Sequence, residues 1–270
     1  MIARPASLGT YDHGPATLAN DRLWNVIAGR LRDAGFGAVP DQLDRSRPLE
    51  AIWDDPDLLL AQTCGYPFMS RWRDRLRYVA TFRYRSPGCE GAFHRSRFVV
   101  HADNEAAGLA DLRGRRAAIN EPLSNSGVNL FRAALAPLAK GQRFFASVAE
   151  TGSHRASLQL LASGEADIAA VDCVTYAHIE RFEPALVAPL RTLGWSARTP
   201  CLPLVTARAT TDRELAGMRR ALREALSDKR IASDLGTLMI DGIEQLDTRR
   251  YATIMTAERR ARAAGYPDLC

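Results

Sequence analysis

The sequence contains little lysine, few aromatic residues, no long hydrophobic run and only scattered cysteines. Of its 36 basic residues only Lys140 and Lys229 are lysine, so arginine carries the formal charge of +5. This skew is more typical of a coding bias than of nucleic-acid binding, and no recognition motif or aromatic stacking platform accompanies the arginines. No segment approaches the ~20 apolar residues that span a bilayer, which excludes membrane insertion.

The five cysteines argue against a zinc site. Cys64, Cys89, Cys173, Cys201 and Cys270 form no Cys-x-x-Cys pair and have no histidine at metal-ligand spacing. An odd count leaves at least one thiol outside any intramolecular disulfide, which suits a reducing compartment. Cys64 and Cys89 could still pair in an oxidising one.

What is present is an alternation of apolar strands and amphipathic helices. The chain of 270 residues, 46% hydrophobic and 25% charged, is long enough for two lobes with separate cores. The patterns predict strands at 2–7, 42–44, 57–62, 76–82, 97–101, 115–120, 144–149 and 169–172, and helices at 16–34, 48–53, 128–138, 156–163, 212–227, 229–238 and 248–264. This alternation predicts an α/β fold with helices covering the sheets.

The first motif lies where a predicted strand turns into a helix. Ser124, Asn125, Ser126 and Gly127 place two hydroxyls and several amide N–H groups at a helix start. Because helix N-termini carry unpaired donors and a partial positive charge, the motif is typical of an oxyanion site. The alternative is that Ser124 only caps the helix.

The same arrangement recurs twice downstream. Gly152, Ser153 and His154 stand between a strand-like run and another helix, and Asp172 ends a short apolar strand. Three such corners would line one edge of a parallel sheet, where α/β sheets bind ligands. His154 is placed to donate to an oxyanion, and a lone histidine is otherwise a satisfied packing residue. A nucleophilic Ser153 and His154 pair is disfavoured, since adjacent helical residues diverge by about 100°.

Arginines at alternate positions in 71–77 continue into an arginine-rich stretch up to residue 97. The alternation predicts a half-buried strand or an extended entry to one, with a solvated basic face. Attraction of an anionic ligand is the functional alternative.

In its ordered motifs the chain resembles the substrate-binding proteins of phosphate, phosphite and phosphonate ABC importers. The motifs are Asp-Leu-Arg-Gly-Arg-Arg at 111–116, Asn-Glu-Pro at 120–122, Ser-x-Ser-Gly at 124–127, Gly-Ser-His at 152–154 and the segment 164–172. The resemblance implies a two-lobed type 2 periplasmic-binding-protein fold, each lobe a mainly parallel sheet flanked by helices. It places residues 1–96 and 199–270 in lobe one, and 97–198 in lobe two with the anion-binding corners.

The resemblance also implies the ligand contacts. Hydroxyls and amides of the two serine motifs and the histidine hold the oxyanion, which points to Ser124, Ser126, Gly127, Ser153 and His154. Asn125, which stands where phosphonate binders often carry threonine, is expected to contact the ligand through its amide in place of a third hydroxyl. An acid near Asp172 contacts a ligand amine in some members. Because a ligand between two lobes needs contacts from both, we expect lobe one to contribute Tyr66 and Tyr11.

The predicted function is to bind a small tetrahedral oxyanion between the lobes as a monomeric component of an ABC importer, with a permease as partner. We expect no catalysis and no cofactor, since no cofactor loop or credible nucleophile and base pair stands out. A cytoplasmic ligand sensor and an enzyme of small-molecule metabolism on the same fold are the alternatives.

The N-terminal residues do not decide in which cellular compartment the protein is located. Residues 1–13 contain neither the basic start nor the apolar stretch of a secretory signal. The protein is therefore expected to be cytoplasmic if the chain is complete, or periplasmic if the start codon is misplaced or a precursor segment is missing.

Overall fold

A computed structural model describes residues 3–269 as an α/β protein with twelve strands and ten α-helices in that range. The strands are β1 (Ala6–Ser7), β2 (Leu60–Gln62), β3 (Leu76–Tyr84), β4 (Phe93–His94), β5 (Ser96–His101), β6 (Arg116–Ile119), β7 (Ser147–Glu150), β8 (Ile168–Asp172), β9 (Leu190–Trp195), β10 (Thr199–Pro200), β11 (Pro203–Ala207) and β12 (Ile240–Glu244).

Helices connect most of these strands. The α-helices are α1 (Ala16–Asp33), α2 (Leu49–Trp53), α3 (Gly65–Pro67), α4 (Leu130–Ala139), α5 (His154–Ala162), α6 (Cys173–Phe182), α7 (Pro184–Val187), α8 (Asp212–Leu226), α9 (Ala232–Thr237) and α10 (Ala252–Ala263). Short 3-10 turns occupy Gly9–Tyr11, Leu109–Leu112, Lys229–Ile231 and Thr248–Tyr251, and π-helical turns occupy Phe68–Trp72 and Asn125–Asn129.

The described chain divides into two compact units. The first contains residues 3–85, 90–92 and 200–248, and the second contains 86–89, 93–199 and 249–269. The second unit therefore includes α10, which packs against α4. Residues 249–269 had been predicted to belong to lobe one, and this part of the prediction was wrong.

The sheet of the first unit has the order β1-β2-β11-β3-β12. Only β1 and β2 pair in parallel, and the other three pairs are antiparallel. Helix α1 packs against α8 and α9, and it buries an apolar stripe that includes Leu23, Trp24 and Ile27. The stripe follows the 3.6-residue period of a helix with one face in the core.

The sheet of the second unit has the order β7-β6-β8-β5-β9. Strands β7, β6 and β8 are parallel neighbours, whereas β5 is antiparallel to both β8 and β9. Both sheets are therefore mixed, which corrects the expectation of mainly parallel sheets. Their flanking by helices is confirmed.

Two hydrophobic cores lie on the two faces of the second sheet. Ile168 and Ala170 of β8 pack in one core with Phe131 of α4, and the alternate residues Ala169 and Val171 pack in the other with Leu158 of α5. This division follows the two-residue period of a strand. Because both faces are covered, β8 reads as a continuous apolar run.

Two predicted extended segments are absent from the structure. Residues 42–44 form no strand, although the Asp44 N–H donates to the Ala6 carbonyl over 2.7 Å. The arginine alternation at 71–77 spans the end of a π-helical turn, a further turn and the start of β3. Of the strand predicted at 2–7, residue 2 lies outside the described residues.

Candidate functional site

The three predicted corners lie at one edge of the second sheet. Strands β7 and β8 both pair in parallel with β6, and each of the three leads into a helix. The carboxyl ends of parallel neighbours meet at the same edge, so three helix starts converge there. The polar side chains that stand at these ends are Ser126, His154 and Asp172.

The first corner is the π-helical turn Asn125–Asn129, which continues into α4. Ser124 is its N-cap, with an extended backbone, and its Oγ accepts from the Gly127 N–H over 2.9 Å. The capping role considered for Ser124 is therefore present. A hydroxyl that accepts one bond still has its own hydrogen to donate, so capping leaves Ser124 a possible ligand donor.

The second corner delivers His154 as the first residue of α5. Ser153 is the N-cap, and its Oγ accepts from the Ala156 N–H over 3.1 Å. The His154 Nε2 lies 3.0 Å from the Ser126 Oγ and 3.4 Å from the Asp172 backbone nitrogen. The imidazole thus touches both of the other corners, and the structure brings together residues separated by 28 and 18 positions in the chain.

The third corner is closed by a buried ion pair. Asp172 caps α6 by accepting from the N–H groups of Val174 (2.9 Å) and Thr175 (3.1 Å), and its other oxygen lies 2.8 Å from Nδ1 of His94. Burial alone would raise the pKa of Asp172, but the charge and hydrogen bond of His94 outweigh it and lower the pKa to about 2. Burial would lower the pKa of His94, and Asp172 reverses that effect, so the net pKa is raised.

His94 was missed in the sequence. It stands 78 positions before Asp172 in a two-residue strand, with no motif around it. Asp172 is 3% exposed, and both of its carboxylate oxygens are already engaged, one by the cap bonds and the other by His94.

Asn120 is a second residue that motif reasoning passed over. It follows β6 directly and is buried, and its Oδ1 makes no hydrogen bond. A Cβ built on Gly127 would lie 1.8 Å from this Oδ1 and 3.2 Å from Cε1 of His154. A side chain at 127 would therefore displace the Asn120 amide, which packs against the glycine backbone beside the histidine. The position of Asn120 in the Asn-Glu-Pro motif was the sequence signal that could have identified it.

Asn125 points into the protein interior. Its Nδ2 donates to Thr199 Oγ1 over 3.1 Å, and its Oδ1 accepts from Asn129 Nδ2 over 3.0 Å. Asn129 in turn donates to the carbonyl of Ile254 over 3.1 Å, which ties the first corner to α10. The Asn125 side chain thus stabilises the corner, and its ligand contact stays a prediction.

Tyr11 and Tyr66 belong to the first unit. Tyr11 follows β1 and Tyr66 follows β2, and these two strands are parallel neighbours, so both tyrosines stand at one edge of that sheet. The Tyr11 ring packs edge to face on Tyr84, with ring centroids 5.4 Å apart. Their ligand contacts stay predictions.

The arginine-rich stretch of the first unit is paired with acids distant in sequence. Arg71 pairs with Glu50, Arg75 with Asp54, Arg77 with Asp212, and Arg83 and Arg85 with Asp241. These pairs reduce the net field of the stretch. Across residues 3–269, no group of three or more His, Cys, Asp or Glu side chains is arranged to hold a metal ion.

Several solved structures share this fold. One is the binding protein component of an ABC phosphonate transporter from Pseudomonas aeruginosa, with a TM-score of 0.75, 16% identity, and coverage of 97% of this chain and 87% of that chain. Another is PhnD1 from Prochlorococcus marinus in complex with methylphosphonate, with a TM-score of 0.71, 16% identity, and coverage of 97% and 98%. A third, XAC2383 from Xanthomonas citri bound to ATP, has a TM-score of 0.74, 16% identity, and coverage of 97% and 98%.

The fold is thus that of the periplasmic substrate-binding proteins, as predicted. A family model described as "ABC transporter, phosphonate, periplasmic substrate-binding protein" matches residues 55–251. The chain belongs to this family, whose members are binding components of transporters and not enzymes. A search of curated proteins with this sequence found no match. Within the described residues, no helix has the length and apolar character needed to cross a membrane.

Proposed function

We propose that the protein binds phosphate, phosphite or an alkylphosphonate at the three corners of the second unit, as the substrate-binding component of an ABC importer. One observation carries the proposal: Ser126 Oγ and His154 Nε2 lie 3.0 Å apart at two adjacent helix starts. A hydroxyl, an imidazole and helix N-termini are the groups that hold an oxyanion in proteins.

Each group at the corners has a role in this proposal. Ser126 donates its hydroxyl hydrogen to one oxyanion oxygen. In this structure His154 Nε2 accepts from the Asp172 N–H, so on ligand binding this bond gives way to a protonated His154 that donates from Nε2 and balances negative charge. Ser124 and Ser153 hold the helix starts and keep their hydroxyl hydrogens for the ligand. Gly127, whose N–H donates to Ser124, leaves room for the Asn120 amide beside its backbone, and that amide adds a polar contact.

The state of Asp172 bears on ligand choice. Its carboxylate is buried and already bonded to His94 and to the start of α6. An ammonium group on the ligand would have to compete with these buried partners, and breaking a buried ion pair is costly. We therefore propose a ligand without an amine, as with the methylphosphonate bound in the Prochlorococcus marinus neighbour.

Calorimetric titration with phosphate, phosphite, methylphosphonate and 2-aminoethylphosphonate tests both statements. We expect binding of at least one of the first three. A contact between Asp172 and the amine would make 2-aminoethylphosphonate roughly ten to a hundred times tighter than methylphosphonate, from ~1.5–3 kcal/mol for a charged hydrogen bond. An affinity difference under about threefold supports a carboxylate that the ligand does not contact. Absence of measurable binding for all four ligands contradicts the proposal.

The importer role needs a separate experiment. Uptake of the tightest-binding oxyanion should fall in cells that lack this gene and return when the gene is restored. A Ser126→Ala gene should restore uptake only at high external concentration, because the defect is in affinity. Normal uptake in the deletion strain would contradict the transport role while leaving the binding measurement intact.

A further inference from the structure

Two cysteines that neither the motifs nor the proposed function use lie in contact in the second unit. The Sγ atoms of Cys89 and Cys173 are 3.5 Å apart, although the residues are 84 positions apart in the chain. A disulfide bond is about 2.05 Å long, so a small change in side-chain torsion brings the sulfurs within bonding range. Cys64, the partner considered for Cys89 from the sequence, belongs to the first unit.

The backbone around Cys89 is fixed against the start of α6. Residues 86–89 form a turn in which the Cys89 N–H donates to the Ser86 carbonyl over 2.9 Å. Ser86 Oγ donates to the carbonyl of Cys173 over 3.0 Å. A Cβ on Gly88 would stand 3.1 Å from the Cys173 Cβ and 2.5 Å from the Trp195 ring, so the turn packs tightly against both residues. The two thiols are therefore held together by contacts that do not depend on a covalent bond.

We propose that Cys89 and Cys173 form an intramolecular disulfide when the protein meets a small-molecule disulfide or another disulfide-bearing oxidant. The family is periplasmic, and the bacterial periplasm is an oxidising compartment in which disulfides form and persist. The bond would join the turn at 86–89 to the first residue of α6, directly after Asp172.

The reaction is a thiol–disulfide exchange in two steps. The thiolate of Cys89 attacks one sulfur of the oxidant RS–SR, forming a mixed disulfide and releasing RS⁻, which takes up the proton that Cys89 lost. Cys173 then loses its proton, attacks the Cys89 sulfur and displaces the second RS⁻, which is protonated in turn. Two protein thiols are oxidised, and one RS–SR is reduced to two RSH.

Exposure decides which cysteine reacts first. Cys89 is half-buried, whereas Cys173 is 0% exposed. The hydrogen bond with Cys89 and burial both raise the pKa of the Cys173 thiol, so it stays protonated until Cys89 has reacted. Cys89 is therefore the entry point for the oxidant, and Cys173 is the resolving thiol.

Mass spectrometry of the full chain tests the proposal. Folded, reduced protein is equilibrated with oxidised glutathione, alkylated in denaturant and digested with trypsin. We expect an intact chain that is about 2 Da lighter than the reduced protein when weighed before alkylation, and a cross-link between the tryptic peptides 86–95 and 156–181, which reduction separates. Cys64→Ser should retain the cross-link, and Cys89→Ser and Cys173→Ser should each abolish it.

A thermal melt gives an independent readout. Closing an 84-residue loop is expected to raise the Tm of the oxidised wild type by about 10 °C over the reduced form. Cys89→Ser, at a half-buried turn, should melt at the same temperature with and without oxidant. Full alkylation of both cysteines after equilibration, a lasting glutathione adduct on Cys89, or a cross-link from peptide 86–95 to Cys64 would overturn the proposal.

Discussion

Asp172 and His94 form a buried ion pair, with 2.8 Å between the carboxylate oxygen and Nδ1. The raised pKa of His94 means that its contribution to stability is complete below its ordinary pKa of 6.5 and is lost as the pH rises through the raised value. The pKa of Asp172, lowered to about 2, adds stability that is complete above its ordinary 3.8 and is lost as the pH falls toward 2.

We predict that His94→Gln lowers the free energy of unfolding most at mildly acidic pH. Removing one partner of a buried pair costs about 3–5 kcal/mol. Above the raised pKa the wild type loses the charged histidine as well, so the difference between the two proteins should shrink. Urea unfolding at pH 5 to 9 measures it, with His101→Gln, at a more exposed pair with Asp103, as the control. A difference that stays constant over this range would contradict the assignment.

A second prediction concerns Gly127. Gly127→Ala puts a methyl group 1.8 Å from Asn120 Oδ1, so either the Asn120 side chain or the first corner has to move. We expect a loss of about 1–3 kcal/mol in the free energy of unfolding, together with weaker oxyanion binding. Gly108→Ala, where a Cβ would meet nothing within 4 Å, should leave both unchanged. Adding Asn120→Ala to Gly127→Ala should restore part of the stability, and strictly additive losses would show that the two residues do not collide.

The contacts proposed between the oxyanion and the side chains of Ser126 and His154 give a third prediction. Ser126→Ala and His154→Ala should each weaken the affinity for the tightest-binding oxyanion by roughly ten to a hundredfold, from ~1.5–3 kcal/mol for a charged hydrogen bond. Because the two side chains lie 3.0 Å apart, the double variant should lose less than the sum of the single losses. Calorimetry measures all three, with Ser163→Ala at an exposed helix end as the control. Unchanged affinity in both single variants would place the ligand elsewhere.

The place of the C-terminal segment gives a fourth prediction. Tyr266 is buried in the core of the second unit with Phe131 and Phe145, and its hydroxyl donates to the Leu269 carbonyl over 2.9 Å. Tyr266→Ala should cost about 3–5 kcal/mol by leaving a cavity, whereas Tyr266→Phe should cost only about 0.5–1.5 kcal/mol for one hydrogen bond. Urea unfolding followed by loss of oxyanion binding reports on this unit. Binding that persists through the unfolding transition of Tyr266→Ala would contradict the packing.

The corners were predictable because their signals are local. A serine before a helix, a Gly-Ser-His turn and an acid at a strand end each define a chain reversal within a few residues. The partners across these corners were not predictable, since His94 and Asn120 act through neighbours that only the sheet order brings close. The helix at the C-terminus was predicted as a helix but assigned to the wrong unit, because periodicity shows that a face is apolar without showing what covers it. The strand predicted from the arginine alternation at 71–77 was wrong for a related reason. A turn followed by the start of a strand can show the same two-residue period as a strand.

The packing of α10 against α4 also has a consequence for biosynthesis. A ribosome makes the three corners long before it makes residues 249–269, so the nascent binding unit lacks Ala261, Tyr266 and Leu269 from its core until translation is nearly finished. Until then Phe131 and its neighbours are only partly covered, which leaves them accessible to chaperones or to a secretion apparatus. The core behind the proposed oxyanion site is therefore completed only at the end of synthesis, and a transcript truncated by even twenty codons would yield a chain with every predicted ligand contact and an unfinished core.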